Sequence, residues 1–230
     1  MKLKNIATGL LVATSLTFSF GSQAKAEDPG HLLYLMKHLV CERCALDNID
    51  VSDANLAGAF LNGVDMRDSR LSGVNLAFAE LVEANLKRAT LIDANLRNAF
   101  MMGITLNDAR LTGARIDSSR LNYAQLVGAD LSATSMISTD LTKADLSRAN
   151  LTGASMRFAK APGADFSGAD LSDANLYFAD LRGADLRGAN LTGADLSKAK
   201  LAGAKLTGAN LCRAIMPDGI PSLSDCGPEE

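Results

Sequence analysis

The chain of 230 residues has no tryptophan and only 5% aromatic residues, although 47% of it is hydrophobic. Any core is therefore built from leucine and alanine rather than from large rings, which makes it thin and uniform. Histidine occurs only as His31 and His38. A Ser-His-Asp or Cys-His catalytic set needs a histidine able to meet its nucleophile, and no histidine follows residue 38. No glycine-rich loop follows a strand and opens a helix, so a nucleotide site has no support. These absences point away from an enzyme, and no cofactor, metal or small-molecule substrate is expected. Basic charge is also short: the formal net charge is -3. Removing a leader that holds Lys2, Lys4 and Lys25 leaves 20 basic against 26 acidic residues, or -6, which disfavours nucleic acid as a partner.

Residues 1–26 read as a secretory signal peptide. Lys2 and Lys4 form a basic start, Ile6 to Phe20 is largely apolar, and Ala24-Lys25-Ala26 places small residues at both recognition positions of a cleavage site. The apolar run is too short to span a bilayer comfortably, so no membrane span is expected once the signal is removed. The destination is an exported compartment, periplasm or thylakoid lumen.

Residues 27–45 form an N-terminal cap. Asp28-Pro29 has the order of an N-cap followed by proline at the first helical position, and Leu32, Leu35, Met36 and Leu39 recur at helical spacing. The spacing predicts a short amphipathic helix over roughly residues 31–40, covering the open end of a repetitive segment that starts at Leu46. A membrane-surface or partner-binding helix is the alternative.

From Leu46 to Leu211 every fifth residue is leucine, except Val51, Met66, Met101, Ile116, Met136, Met156, Ala161 and Phe166, and no insertion breaks the register. Two residues earlier the chain is mostly alanine, as at Ala54, Ala84 and Ala174, with an occasional Val64, Ile104, Ser119 or Thr134. Residues two apart in an extended segment point the same way, so the small residue and the leucine share an inward face. Fourteen of the 19 glycines lie two after the central residue, where a type II turn needs positive φ, and Ala161-Pro162-Gly163-Ala164 has the Pro-Gly order of such a turn. Four sides of five residues close a square coil of 20, with coils about 4.8 Å apart. The 34 pentads then make a rod about 40 Å long. Ala161 stands where a leucine-sized group fills the axis, which predicts a small cavity or a local narrowing.

The tandem Ala-Asp/Asn-Leu-x-x, as in Ala169-Asp170-Leu171-Ser172-Asp173 and Ala189-Asn190-Leu191-Thr192-Gly193, resembles the pentapeptide-repeat family. The resemblance covers about three quarters of the chain and implies an all-β fold, a right-handed quadrilateral parallel β-helix over residues 46–215, with residues 216–230 as a C-terminal capping tail. Cys41-Glu42-Arg43-Cys44 before the first pentad, and Leu211-Cys212 through Met216-Pro217-Asp218-Gly219 with a later Cys226, are similar to exported family members of cyanobacteria and of the chloroplast lumen. The biochemical role of that group is generally unassigned.

Four cysteines in an exported chain point to disulfides. Cys41 and Cys44 lie at one end of the rod, Cys212 and Cys226 at the other, and bridged Cα atoms lie within about 7 Å, so the pairs are local. Cys41-x-x-Cys44 keeps two other readings open, a thiol-disulfide redox pair and half of a zinc site with His38 as a further ligand.

Wound on a 20-residue coil, the outward aromatics of the repeat fall in one sector: Phe60 and Phe100 at position 0, Phe78, Phe158 and Phe178 at 18, Tyr177 at 17 and Tyr123 at 3, with Val82 and Met102 at 2. A contiguous apolar stripe on a soluble rod is a candidate surface for an unidentified protein partner or for self-association. Arg110, Arg115 and Arg120 hold equivalent outward positions, and Arg110 and Arg120 face Asp130 and Asp140 one coil later, which predicts inter-coil ion pairs rather than an anion site. The leading expectation is a non-enzymatic exported module that binds protein along the aromatic side. Its rivals are the acidic, DNA-mimicking gyrase-binding members of the family and a redox function at Cys41 and Cys44.

Overall fold

The computed structural model describes residues 29–224 and 226. The leader, Asp28 and the end of the capping tail lie outside the described residues. From Val40 onward each bridging residue pairs in parallel with the residue 20 positions later, from Val40 with Phe60 to Asp195 with Ile215. Each side of the coil contributes a single bridging residue, so the sheets are four columns of isolated bridges running along the rod.

The pentad Asn75 to Ala79 shows why the pattern repeats. The Asn75 amide donates to Ala54 O of the preceding coil (2.9 Å), and the Leu76 and Phe78 amides donate to Asn95 O (2.7 Å) and Arg97 O (2.9 Å) of the next. The Ala79 amide closes the corner on Leu76 O at 3.1 Å. The remaining amide, Ala77, donates to the Asn75 side-chain Oδ1 at 3.2 Å. All five donors are therefore satisfied, as a thin solenoid with little room for interior water requires. The Asp or Asn before each central residue is thus an Asx turn, repeated at Asp130, Asn150, Asp170 and Asp195.

Where the bridging residue is not Asp or Asn, three coils solve the problem differently. Asn62, Asn107 and Asp117 accept the amides of Val82, Val127 and Ile137 of the following coil at 3.0, 2.9 and 3.1 Å. Pro162, which has no amide to satisfy, follows the bridging residue Lys160.

All 35 corner residues at five-residue spacing from Arg43 to Arg213 have positive φ, and 21 of them are not glycine. Glycine is therefore permitted at the corner without being required by it. At Gly73, with φ 67°, a Cβ would also run into the Asp53 carboxylate of the preceding coil.

The axis is filled by central residues and their small companions, which are buried almost without exception up to Leu196. Buried hydroxyls at the small positions bond to main-chain carbonyls: Ser69 to Leu46 O, Ser119 and Thr139 to Ile116 O, and Thr134 to Leu131 O. Ala161 is fully buried, and one pentad later in the same coil stands Phe166, the bulkiest of the fully buried side chains. A large ring beside a small methyl supplies axial volume from the adjacent side, so the expected gap at Ala161 has a neighbour able to fill it.

Helix α1 runs Pro29–His38, two residues earlier at each end than the spacing predicts. Leu39 turns the chain with φ 57° and its amide bonds to Leu35 O at 2.8 Å, the αL form of a helix C-cap. Val40 is then free to bridge Phe60. Leu35 is buried, and Leu32, Met36 and Leu39 pack on the core as the stripe predicts. The ladder thus begins at Val40 rather than at Leu46, because the Cys41 and Arg43 amides bond to Phe60 O and Asn62 O as any pentad does. At the other end residues 213–222 fold back, with Ile215 bridging Pro221 in antiparallel fashion and the Ser222 amide bonding to Ala214 O at 2.7 Å.

Candidate protein-binding face

Two disulfides staple the ends. Cys41 and Cys44 (Cα separation 5.4 Å) occupy the axial and small positions on either side of the first corner, with Cys41 buried and α1 ending before it. Cys212 joins Cys226 (4.8 Å) and ties the tail to the last coil. The His38 ring lies against Tyr34 on the exposed side of α1, 4.5 Å between centroids. Among the described residues no group of three or more His, Cys, Asp or Glu is placed to hold a metal ion, and no helix is long and apolar enough to cross a membrane.

The aromatic sector forms one side of the rod and both of its corners. Down the middle of this side runs the column Phe60, Glu80, Phe100, Arg120, Asp140, Lys160, Asp180, Lys200, each bridged to the next. Phe60, Phe78, Phe100, Met102, Tyr123, Phe158 and Phe178 are exposed, and Val82 and Tyr177 are half-buried. They do not make one contiguous stripe. Phe158, Tyr177 and Phe178 form a cluster, with Phe158 stacked on Phe178 (5.7 Å) and Tyr177 edge-on to both (5.9 and 4.7 Å). Phe60, Phe78, Val82, Phe100, Met102 and Tyr123 belong to the other half of the side, and the charged residues Arg120, Asp140 and Lys160 separate the two groups.

Four of these aromatics, Phe78, Tyr123, Phe158 and Phe178, sit at the corner position with φ of 57° to 62°. Left-handed backbone costs an L-residue about 1–2 kcal/mol, and a bulky residue there is an outlier. Their exposure means that core burial does not offset that cost.

Two hollows lie on the side. One, of about 480 Å³, is bounded by Phe100, Met102, Ser118, Arg120, Ser138 and Asp140, and the other, of about 420 Å³, by Phe158, Lys160, Pro162, Phe178, Asp180 and Arg182. The Arg120 guanidinium does not close on Asp140; it lies over the Phe100 ring, 5.0 Å from its centroid. Asp140 accepts from the Thr142 hydroxyl (2.6 Å) and amide (3.0 Å) instead. Asp130 likewise takes hydrogen bonds from Thr112 and Ser132, while Arg110 acts on it only as a nearby charge.

Inter-coil ion pairs do form, between other partners. Arg88 chelates Asp68 with two bonds of 2.6 Å, and Arg97 reaches Asp117 at 2.8 Å. On the candidate face Asp180 is held by Arg182 (2.6 Å), and the bond from that guanidinium keeps its carboxyl below the usual range. Asp185, on the next side, is bonded by Arg187 and lowered to about 2. The Asx turns and the Asn62-type substitutes were missed from sequence, although the Asp or Asn two residues before each turn amide was a visible signal.

The segments 40–73, 69–108, 109–148, 149–188 and 179–216 match the family of pentapeptide repeats, described in blocks of 8 copies. No curated protein is significantly similar to the chain. Among solved structures, the chain is similar to HetL, a pentapeptide repeat protein involved in heterocyst differentiation regulation from the cyanobacterium Nostoc sp. strain PCC 7120, at 31% identity over 84% of this chain and 98% of that one, TM-score 0.44. QnrB1, a plasmid-mediated fluoroquinolone resistance protein, is 24% identical over 74% of this chain and 88% of that one, TM-score 0.51, a likeness of fold alone. A pentapeptide repeat protein from the Arabidopsis thaliana thylakoid lumen is 37% identical over 39% of this chain and 63% of its own, TM-score 0.38. With a five-residue repeat matched from residue 40 to residue 216 and wound as a right-handed β-helix, the chain belongs to the pentapeptide-repeat family.

Proposed function

We propose that this chain is an exported, non-enzymatic module that binds a protein partner along its aromatic-bearing side. The observation that carries the reading is the set of exposed rings at Phe78, Tyr123, Phe158 and Phe178, held in left-handed backbone where the other corners carry glycine, alanine or polar and charged residues. An exposed ring on a corner gains within the chain only what its neighbours supply, as Phe158 does on Phe178, whereas a partner that buries it adds to that. The two hollows between the corners offer a binding protein relief as well as rings. Export is supported by the signal-like residues 1–26, the paired cysteines and the similarity to a thylakoid-lumen protein. The buried Cys41, bridged across a structural corner, favours a structural disulfide over a redox pair. The likeness to QnrB1 is of fold alone and favours no second reading.

The test is cross-linking mass spectrometry on protein from its native compartment, with wild type compared to the Phe78→Ser, Phe100→Ser, Phe178→Ser triple variant. Reproducible links from the aromatic side, lost in the variant, are expected. An unchanged set of links and an unchanged oligomeric state would refute the binding assignment.

A further inference from the structure

Resting on the reading of this side as a binding face, we infer that its occupant is a second copy of the same chain, docked antiparallel. The central column alternates in sign at every coil from Arg120 through Asp140, Lys160 and Asp180 to Lys200. Among the described residues Lys160 and Lys200 form no ion pair within the chain, so these two cations of the column are not consumed by its own carboxylates. Asp180, although it takes three bonds from Arg182, has one acceptor position left, on Oδ2, for a second cation.

A two-fold axis lying across the side, between Asp140 and Lys160, makes the column complementary to its reversed copy. Arg120 then faces Asp180 and Asp140 faces Lys160, each contact occurring twice by symmetry. Phe100, already under the Arg120 guanidinium, faces Lys200, a second cation for the same ring.

Other registers are worse. A shift of one coil in either direction sets Arg120 against Lys160 or Lys200, and a parallel copy related by a two-fold axis sets every charge against itself. A shift of two coils one way pairs as many charges but overlaps four coils of the column instead of six, and it brings Phe158 onto Phe178. The same shift the other way sets Glu80 against Asp180.

The corners obey the same pairing. The axis leaves each corner facing its counterpart, so Phe178 and Phe158 meet Ser118 and Ser138 of the copy, at the rim of the larger hollow. On the opposite corner Tyr123 meets Gly183. Bulk meets space at each of these positions, which the two-coil shift, although it pairs as many charges, does not achieve.

The experiment is sedimentation of the full chain with both disulfides formed, for wild type, Asp140→Lys, Lys160→Glu and an equimolar mixture of the two variants. Wild type is expected to dimerise, more weakly as added salt shortens the screening length. Each single reversal creates two like-charge contacts and should weaken the dimer at least about tenfold. The mixture should restore it, because the variant lysine at 140 meets the variant glutamate at 160 while the native Lys160 meets the native Asp140. A monomeric wild type overturns the inference. So does a dimer indifferent to either reversal, or one that the mixture fails to rescue. If wild type is monomeric and the aromatic side still cross-links to a different protein, the face remains a binding face and only its occupant has been misassigned.

Discussion

Asn62 of one coil accepts the main-chain amide of Val82 in the next at 3.0 Å, a task that in an Asx turn such as that of Asp130 falls to the side chain two residues before the amide. Its own side-chain amide donates to Glu42 and Glu80. Asn62→Ala leaves the Val82 amide without its acceptor and should cost about 1–2 kcal/mol in a denaturant titration. Adding Glu80→Asn to that variant supplies an Asx turn for the same amide and should recover most of the loss; no recovery would show that the Glu42 and Glu80 contacts, rather than the amide, carry the effect.

Ala161 and Phe166 form a small-large pair on adjacent sides of one coil. If the ring fills the space beside the methyl, Ala161→Leu should destabilise by about 1–3 kcal/mol through overpacking. Phe166→Leu should also destabilise, through the volume it vacates. The double variant should be more stable than the two single effects predict, by at least about 0.5 kcal/mol in the cycle. Additive effects would place the two residues in separate packing environments.

Replacing Phe78 by glycine removes an exposed ring from a corner with φ 62°. Relief of left-handed strain and the added flexibility of the unfolded chain oppose each other, so Phe78→Gly should stay within about 1 kcal/mol of wild type. Leu76→Ala, two residues away on the axis, should cost about 2–5 kcal/mol. Thermal melts of the pair separate residues kept for folding from residues kept for contact.

Asp185 is lowered to about 2, chiefly by the bond from Arg187. Asp180 and Asp68 are lowered by the same kind of bond from Arg182 and Arg88. In Asp117, burial pushes the carboxyl upward, but hydrogen bonds from Ser135, Arg97 and the Ile137 amide outweigh it. Folded values below unfolded ones mean a stabilisation that is complete above the ordinary carboxylate range and lost as pH falls through that range towards 2. Stability should therefore be level near neutrality and decline on the acid side. Arg187→Ala should raise the Asp185 midpoint in an NMR titration, and an unmoved midpoint would mean that the ion pair is not populated in solution.

The five-residue period made the coil legible because it reports burial directly: a central residue that must be apolar and a companion that must be small leave a mark at every turn. Corners were harder to read. Glycine flags positive φ where it occurs, but Glu83 and Lys143 adopt the same backbone with nothing in their chemistry to announce it. Outward side chains were least legible, since each has several neighbours of similar worth. The spacing sets Arg120 against Asp140, yet it lies over Phe100, because the ring is offered by the preceding coil while Thr142 engages the carboxylate. The division of the aromatic residues into two groups depends on which coils carry charge, a property that a sector count discards.

The bridges of the ladder all span 20 residues, however long the rod becomes. The entropy of closing each new coil is therefore constant, unlike that of a sheet whose strands come from distant parts of a chain. Once α1 and the Cys41–Cys44 corner have formed, they template the next coil, and each completed coil does the same for its successor. A chain emerging residue by residue can thus fold in the order in which it appears, each coil waiting only for the one that follows it, and the Cys212–Cys226 bond becomes possible once the coil of Cys212 is in place.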